Sequence, residues 1–181
     1  KIAKSWTGLV DEALSYAEGR NFINTSQLTR HREALGSDDI DDLLGTAEFV
    51  GRKMGAPSGL NYRRWMQSTF RDWTPEDGGM QNALRSLDEA GIQLATLNFD
   101  TMAETSTGLD AIELSQTQEV MEWSRRERTG ILHLHGVWTK PESCVFGIRD
   151  YEKSLNSEAS TLVRQSLSSF NRLLFVGCGN T

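Results

Sequence analysis

The chain predicts an α/β fold, a parallel sheet flanked by helices. Amphipathic helical stripes fill its first half, and in its second half helical stretches alternate with short apolar runs. A third feature gives the sheet a direction, because each apolar run ends in a small polar cluster.

The helices come first. Trp6 to Glu18 carries apolar residues at Trp6, Leu9, Val10, Ala13, Leu14 and Ala17, a stripe with helical spacing. Asp41 or Asp42 suits the cap of a helix running through Met54, with Leu43, Leu44, Ala47 and Val50 on its inner face. Asn61 suits the cap of a helix over Tyr62 to Arg71. Met80 to Ala90 reads as a compact helix stopped by Gly91, and Thr117 to Arg126 as another. Asn156 to Phe170 reads as a longer helix feeding the last apolar run. Gly55 to Gly59 and Trp73 to Gly79 read as loops.

The expected strands are Ile92 to Leu97, Ile131 to Leu134 and Leu173 to Val176. The last is nearly continuous apolar sequence, as expected of a parallel strand covered on both faces. Ligands of open parallel sheets bind at the carboxyl ends of strands. The polar clusters there are Thr96-Leu97-Asn98-Phe99-Asp100, His133-Leu134-His135-Gly136 and Gly177-Cys178-Gly179-Asn180-Thr181. Alternation puts Thr96, Asn98 and Asp100 on one side if the chain stays extended, and likewise His133 and His135. Asn98 and Asp100 equally suit a turn. The two histidines suit a structural pair, a two-histidine metal site or one catalytic base.

Bulk properties narrow the function. The 181 residues suffice for one α/β domain with a core. With 38% hydrophobic and 24% charged residues, the composition is globular rather than disordered. A formal net charge of −6 disfavours non-specific nucleic-acid binding. The cysteines, Cys144 and Cys178, form no CxxC pair, so a four-cysteine zinc site cannot be built from this chain. Two isolated cysteines suit a reducing cytoplasm. No apolar run approaches the ~18 residues of a membrane helix. The chain opens at Lys1 and closes directly after an apolar run, which reads as part of a longer protein.

Taken in order, these clusters resemble the Sir2-like family, in particular its bacterial defence-associated branch. Thr96 to Asp100 resembles that branch's Thr-Thr-Asn-Tyr-Asp motif, with Glu104 as the acidic residue that follows. Leu134-His135-Gly136 resembles its Leu-His-Gly motif, and Ser143 to Tyr151 the stretch after it, with its Asp-Tyr pair. Leu173 to Gly179 resembles the last nucleotide-contacting strand and loop. Lys4-Ser5-Trp6 with Leu9 resembles a Pro-Ser-Trp-x-x-Leu segment near the domain's start.

The resemblance implies a Rossmann-like sheet with a helical insert, over about residues 20–80, in a partial domain spanning 1–181. A Gly-rich phosphate-binding loop is expected upstream of Lys1, and the end of the domain after Thr181. It further implies NAD⁺ as substrate, cleavage of the nicotinamide–ribose bond, and NAD⁺ depletion in anti-phage defence by abortive infection. Partners implied are further copies of the chain or a sensor or ATPase subunit. His135 would be the base, and Asn98 would position water or ribose. Asp100 would bind the nicotinamide carboxamide, with Thr96 beside it and Trp6 near the nicotinamide ribose. Gly177, Cys178 and Gly179 would pack against the adenosine ribose and phosphates.

Deacylating sirtuins normally carry a four-cysteine zinc module and a Gln where Leu97 stands, so hydrolysis is preferred here and no zinc is expected. Protein deacylation or ADP-ribosyl transfer, and nucleotide binding without turnover, are the alternatives.

Overall fold

A computed structural model describes residues 5–75, 78–168 and 173–177. Five helices come first: α1 (Trp6–Gly19), α2 (Thr25–Leu35), α3 (Ile40–Lys53), α4 (Leu60–Phe70) and α5 (Gly78–Glu89). The rest alternates: β1 (Leu94–Thr96), α6 (Met102–Thr107), β2 (Ala111–Glu113), α7 (Thr117–Ser124) and β3 (Ile131–His133). A 3-10 turn at Pro141–Ser143 leads to α8 (Ile148–Leu155) and α9 (Glu158–Ser168). The strands form one small parallel sheet in the order β1-β3-β2.

The helical stripe of α1 buries the residues its spacing indicates, Leu9, Val10, Ala13, Leu14 and Ala17. Ser5 caps it, its side chain accepting the Gly8 N–H at 3.2 Å. α3 is capped two or three residues before the expected cap, because the Asp39 carboxylate accepts the Asp41 N–H at 2.9 Å. α4 likewise starts at Leu60 rather than after Asn61. The span 20–80 holds α2, α3, α4 and the start of α5.

One expectation needs correction. The third strand of the sheet is Ala111–Glu113 and not the apolar run 173–176. Leu173, Leu174, Phe175 and Val176 take no regular structure and are 49–79% exposed. Their hydrophobicity matched a central strand, but they pair with no strand among the described residues. The expected helix from Asn156 is α9, which starts two residues later, after Ser157. Its hydroxyl accepts the Ser160 N–H at 3.1 Å, so a new helix starts after it. α2, α6 and α8 were not expected.

Two apolar clusters hold the fold. Ile112 and Leu132, in one register row of the sheet, pack with Val120, Trp123 and Val163 of α7 and α9. The larger cluster is aromatic and joins α1, α3 and α4 to the loops beyond β1 and β3. Phe146 is its hub, with ring centroids 5.4 Å from Trp6, 6.0 Å from Tyr62 and 5.1 Å from Trp65. Truncation of a buried Phe to Ala costs ~3–5 kcal/mol. Phe146→Ala is therefore expected to shift the urea unfolding midpoint sharply downward. A shift no larger than that of an exposed-site control such as Ile40→Ala would show that this cluster does not carry the fold.

Candidate active site

The carboxyl ends of the strands lie side by side. Thr96, His133 and Glu113 occupy one register row and so face the same side of the sheet. Beyond that row the β1 and β3 segments leave the sheet but stay joined. Leu134 N–H donates to Thr96 O and Trp138 N–H to Phe99 O, both at 2.9 Å. The Trp138 indole N–H donates to Thr101 Oγ1 at 3.3 Å. The loops carrying Asn98 and His135 are thus stitched together from both ends.

His133 sits between them and is fully buried. Its Nδ1 lies 3.0 Å from Asn98 O and 3.2 Å from Gly136 O. Carbonyl oxygens only accept, so Nδ1 carries a hydrogen shared between both loops. Nε2 lies 2.5 Å from Glu104 Oε1 on α6. Burial by itself pulls the imidazole pKa down. The Glu104 hydrogen bond and charge, helped by the two carbonyls, outweigh it, and the net shift is upward. Both nitrogens are occupied by protein, so the two-histidine metal reading does not hold for His133.

His135 differs because β3 ends at His133 and Leu134–His135 turn away. The alternation that would put both histidines on one side therefore stops. His135 is half-buried and its ring meets the edge of Tyr151 at 6.3 Å. Burial lowers its pKa, which keeps the imidazole neutral and able to take a proton near neutral pH. The turn needs Gly136, at φ +84°, because a Cβ there would sit 2.2 Å from Ser143 O and 2.7 Å from Cys144 N.

Asn98 is exposed, and its N–H donates to Thr96 Oγ1 at 3.0 Å. Thr96 thereby shapes the bend rather than pointing to solvent. The chain does not stay extended to Asp100, which is only 8% exposed. Its Oδ1 accepts the Met102 N–H at 3.0 Å and starts α6. Burial raises its pKa, the Met102 bond pulls back, and Glu104 adds to the rise. Trp6 packs edge-on against Phe99 at 5.7 Å, which brings α1 beside this loop. The structure therefore gathers Trp6, Thr96, Asn98, Asp100 and His135. Gly177 lies in the exposed 173–177 segment at φ +68°, and Cys178 and Gly179 lie outside the described residues.

Several residues at this edge were given no role from sequence. Tyr151 borders His135, and Asp150 accepts the Gly147 N–H at 3.2 Å to start α8. Glu113 is 3% exposed and pairs with Lys140, pinning the loop after β3. The one sequence signal for Tyr151 was the Asp-Tyr pair. Two concavities of about 360 and 270 Å³ flank α3, around Phe49 and between Glu48 and Arg149. Neither includes Asn98 or His135. Among the described residues no cluster of His, Cys, Asp and Glu is arranged to hold a metal, and no helix is long and apolar enough to cross a membrane.

Residues 93–181 match the family model of a SIR2-like domain, a stretch that includes all three strands and both loops. The match supports an NAD-related function in broad terms. No solved structure gives a significant match to the chain.

The raised pKa of His133 has a signed consequence. Its contribution to stability is complete below the unfolded value of ~6.5 and is lost as pH rises through the higher native value. His135, shifted down, acts only below ~6.5, where its protonation opposes folding. The urea midpoint should therefore fall as pH rises from about 6.5 through the higher native value of His133. His133→Gln should flatten that slope, and an unchanged slope in this variant would assign it to another group.

Proposed function

We propose that the protein is an NAD⁺ glycohydrolase, which cleaves NAD⁺ to nicotinamide and ADP-ribose. One observation carries the reading: a half-buried histidine, its pKa lowered by burial, and an exposed asparagine are held on stitched loops at the carboxyl ends of parallel strands, inside the stretch that matches a SIR2-like domain. That edge is where ligands of open α/β sheets sit.

The bond from the ribose anomeric carbon to the nicotinamide nitrogen breaks. Its electron pair goes to the pyridinium ring, which leaves as neutral nicotinamide, so no strong acid is required. A water oxygen bonds to the anomeric carbon, and the water proton passes to His135 and on to solvent. Asn98, with a neutral amide, positions that water or the ribose hydroxyls. Asp100 accepts from the nicotinamide carboxamide through the oxygen not given to Met102. Trp6, packed on Phe99, forms the wall beside the nicotinamide ribose. Gly177, Cys178 and Gly179 are assigned to the adenosine ribose and phosphates.

At the level of the cell, the proposed role is NAD⁺ depletion during anti-phage defence, in the bacterial cytoplasm. The active form is an assembly of copies or a complex with a sensor or ATPase subunit. The proposed domain spans 1–181 with its helical insert at about 20–80, and needs no zinc.

A positioned general base typically contributes ~10²–10⁴-fold. His135→Ala and Asn98→Ala in the full-length protein are each expected to lower NAD⁺ turnover by at least ~10²-fold, read by nicotinamide release. Nicotinamide release that depends on an acylated peptide would establish deacylation instead. Binding of NAD⁺ without any release would establish a binding module.

A further inference from the structure

We propose that His133 and Glu104 form a buried clamp that positions the Asn98 and His135 loops, acting on the reaction through those loops without touching substrate. The reaction in question is that of the proposed function, and the clamp itself rests on geometry alone.

His133 is 0% exposed and has a protein partner at every ring donor. One hydrogen, on Nδ1, is shared by the carbonyls of Asn98 and Gly136, the residues at and beside the two proposed catalytic positions. On the other side a proton must lie between Nε2 and Glu104 Oε1, and the imidazole, the more basic of the two groups, holds it. Without it, a nitrogen lone pair would face a carboxylate oxygen at 2.5 Å in an apolar setting. Glu104 Oε2 is buried and has no hydrogen-bond partner among the described residues, so His133 is the anchor of that carboxylate. Glu104 lies on α6, whose Ser106 carbonyl accepts from Arg85 of α5 at 2.6 Å. The clamp thus ties three segments, the Asn98 loop, the His135 turn and α6, to one imidazole.

Its charged surroundings are defined. Asp100 faces it from the Asn98 loop, and Glu113 from the neighbouring strand in the same register row, already paired to Lys140. On the α5 side Arg85 is bound to the α6 backbone. The upward shift of the imidazole pKa agrees with this arrangement.

Glu104→Gln and Glu104→Ala separate a clamp from simple filling of space. A glutamine amide N–H can donate to a neutral Nε2 and keep the geometry without the proton, whereas alanine leaves Nε2 unpartnered. In the full-length protein, Glu104→Ala is expected to lower kcat for NAD⁺ on the order of 10²-fold with KM changed far less, since misplacement by ~1 Å costs that much. Glu104→Gln is expected to recover most of that loss and to remove the alkaline limb of the kcat–pH profile that the proton imposes. Equal impairment in both variants, or full activity in a folded Glu104→Ala protein, overturns the proposal.

Selective ¹⁵N labelling reads the clamp independently of turnover. In the wild-type protein His133 is expected to show protons on both ring nitrogens at neutral pH. The amides of Phe99 and Val137, which report the Asn98 and Gly136 carbonyl bonds, should shift in Glu104→Ala and return in Glu104→Gln. A His133 ring with a free nitrogen, or amides unmoved by Glu104→Ala, overturns the clamp. A protein that passes this test and releases no nicotinamide overturns the proposed function and leaves the clamp standing.

Discussion

The carboxyl end of the sheet depends on one buried imidazole. The sheet itself is small, three strands of three residues each, and its ladder ends at His133. Beyond that point no strand pairing holds the chain among the described residues, yet the loops after β1 and β3 stay joined. His133 extends the order of the sheet by one further layer, using a ring instead of a peptide. A peptide group offers one donor and one acceptor, whereas a doubly protonated imidazole offers two donors at a fixed angle. That is what lets one side chain join two carbonyls and a carboxylate. The arrangement is tolerable in a buried setting only because every donor is matched.

The helical half reaches this edge through aromatic packing. Trp6 lies between Phe99, the neighbour of Asn98, and Phe146, which in turn touches Tyr62 and Trp65 of α4. A change in the α1–α4 layer is therefore transmitted to the Asn98 loop by close-packed rings, which give little when pushed. Gly147 brings α3 and α8 together as well, since a Cβ there would lie 2.4 Å from the Glu48 carboxylate and 2.8 Å from its Cα. The approach leaves room for no side chain at that point. The helices thus support the loops from one side while the His133 contacts hold them from the other.

How much of this is legible in the sequence depends on the range of the force involved. Periodicity reports burial along one element, and it placed α1, α3, α5 and α7 to within a few residues. It failed for α2, which has no fully buried residue and is specified by its ends. Asn24 and Gln27 form a reciprocal capping box, with bonds of 2.9 and 3.1 Å, and that spacing was a readable signal. β2 has a single strongly apolar residue in its centre and ends in Glu113, so no local pattern marks it. Its carboxylate is buried only because Lys140, 27 positions later, folds back onto it. The run 173–176 erred in the opposite direction, because apolar sequence signals burial without naming the surface that covers it. At the site, the residue types at 98 and 135 were legible and the role of His133 was not. Its partners, Glu104 and the Asn98 carbonyl, are 29 and 35 residues away.

The two histidines show why the residue type alone left the choice open. They stand two positions apart, and extended geometry would give them one environment. The turn at Leu134–His135 separates them, and the turn exists because Gly136 accepts a conformation that brings its backbone against Ser143. From there the electrostatics diverge. His133 meets a carboxylate and two carbonyls, which stabilise the charged ring more than burial penalises it. His135 is half-buried, has no such partner among the described residues and meets the edge of Tyr151, so the neutral ring is favoured. Titratable groups pushed in opposite directions at one site mark a division of labour. The ring that keeps its proton can hold structure, and the ring that lacks one can accept a proton. A single glycine turn converts a repeated residue into two different chemical groups.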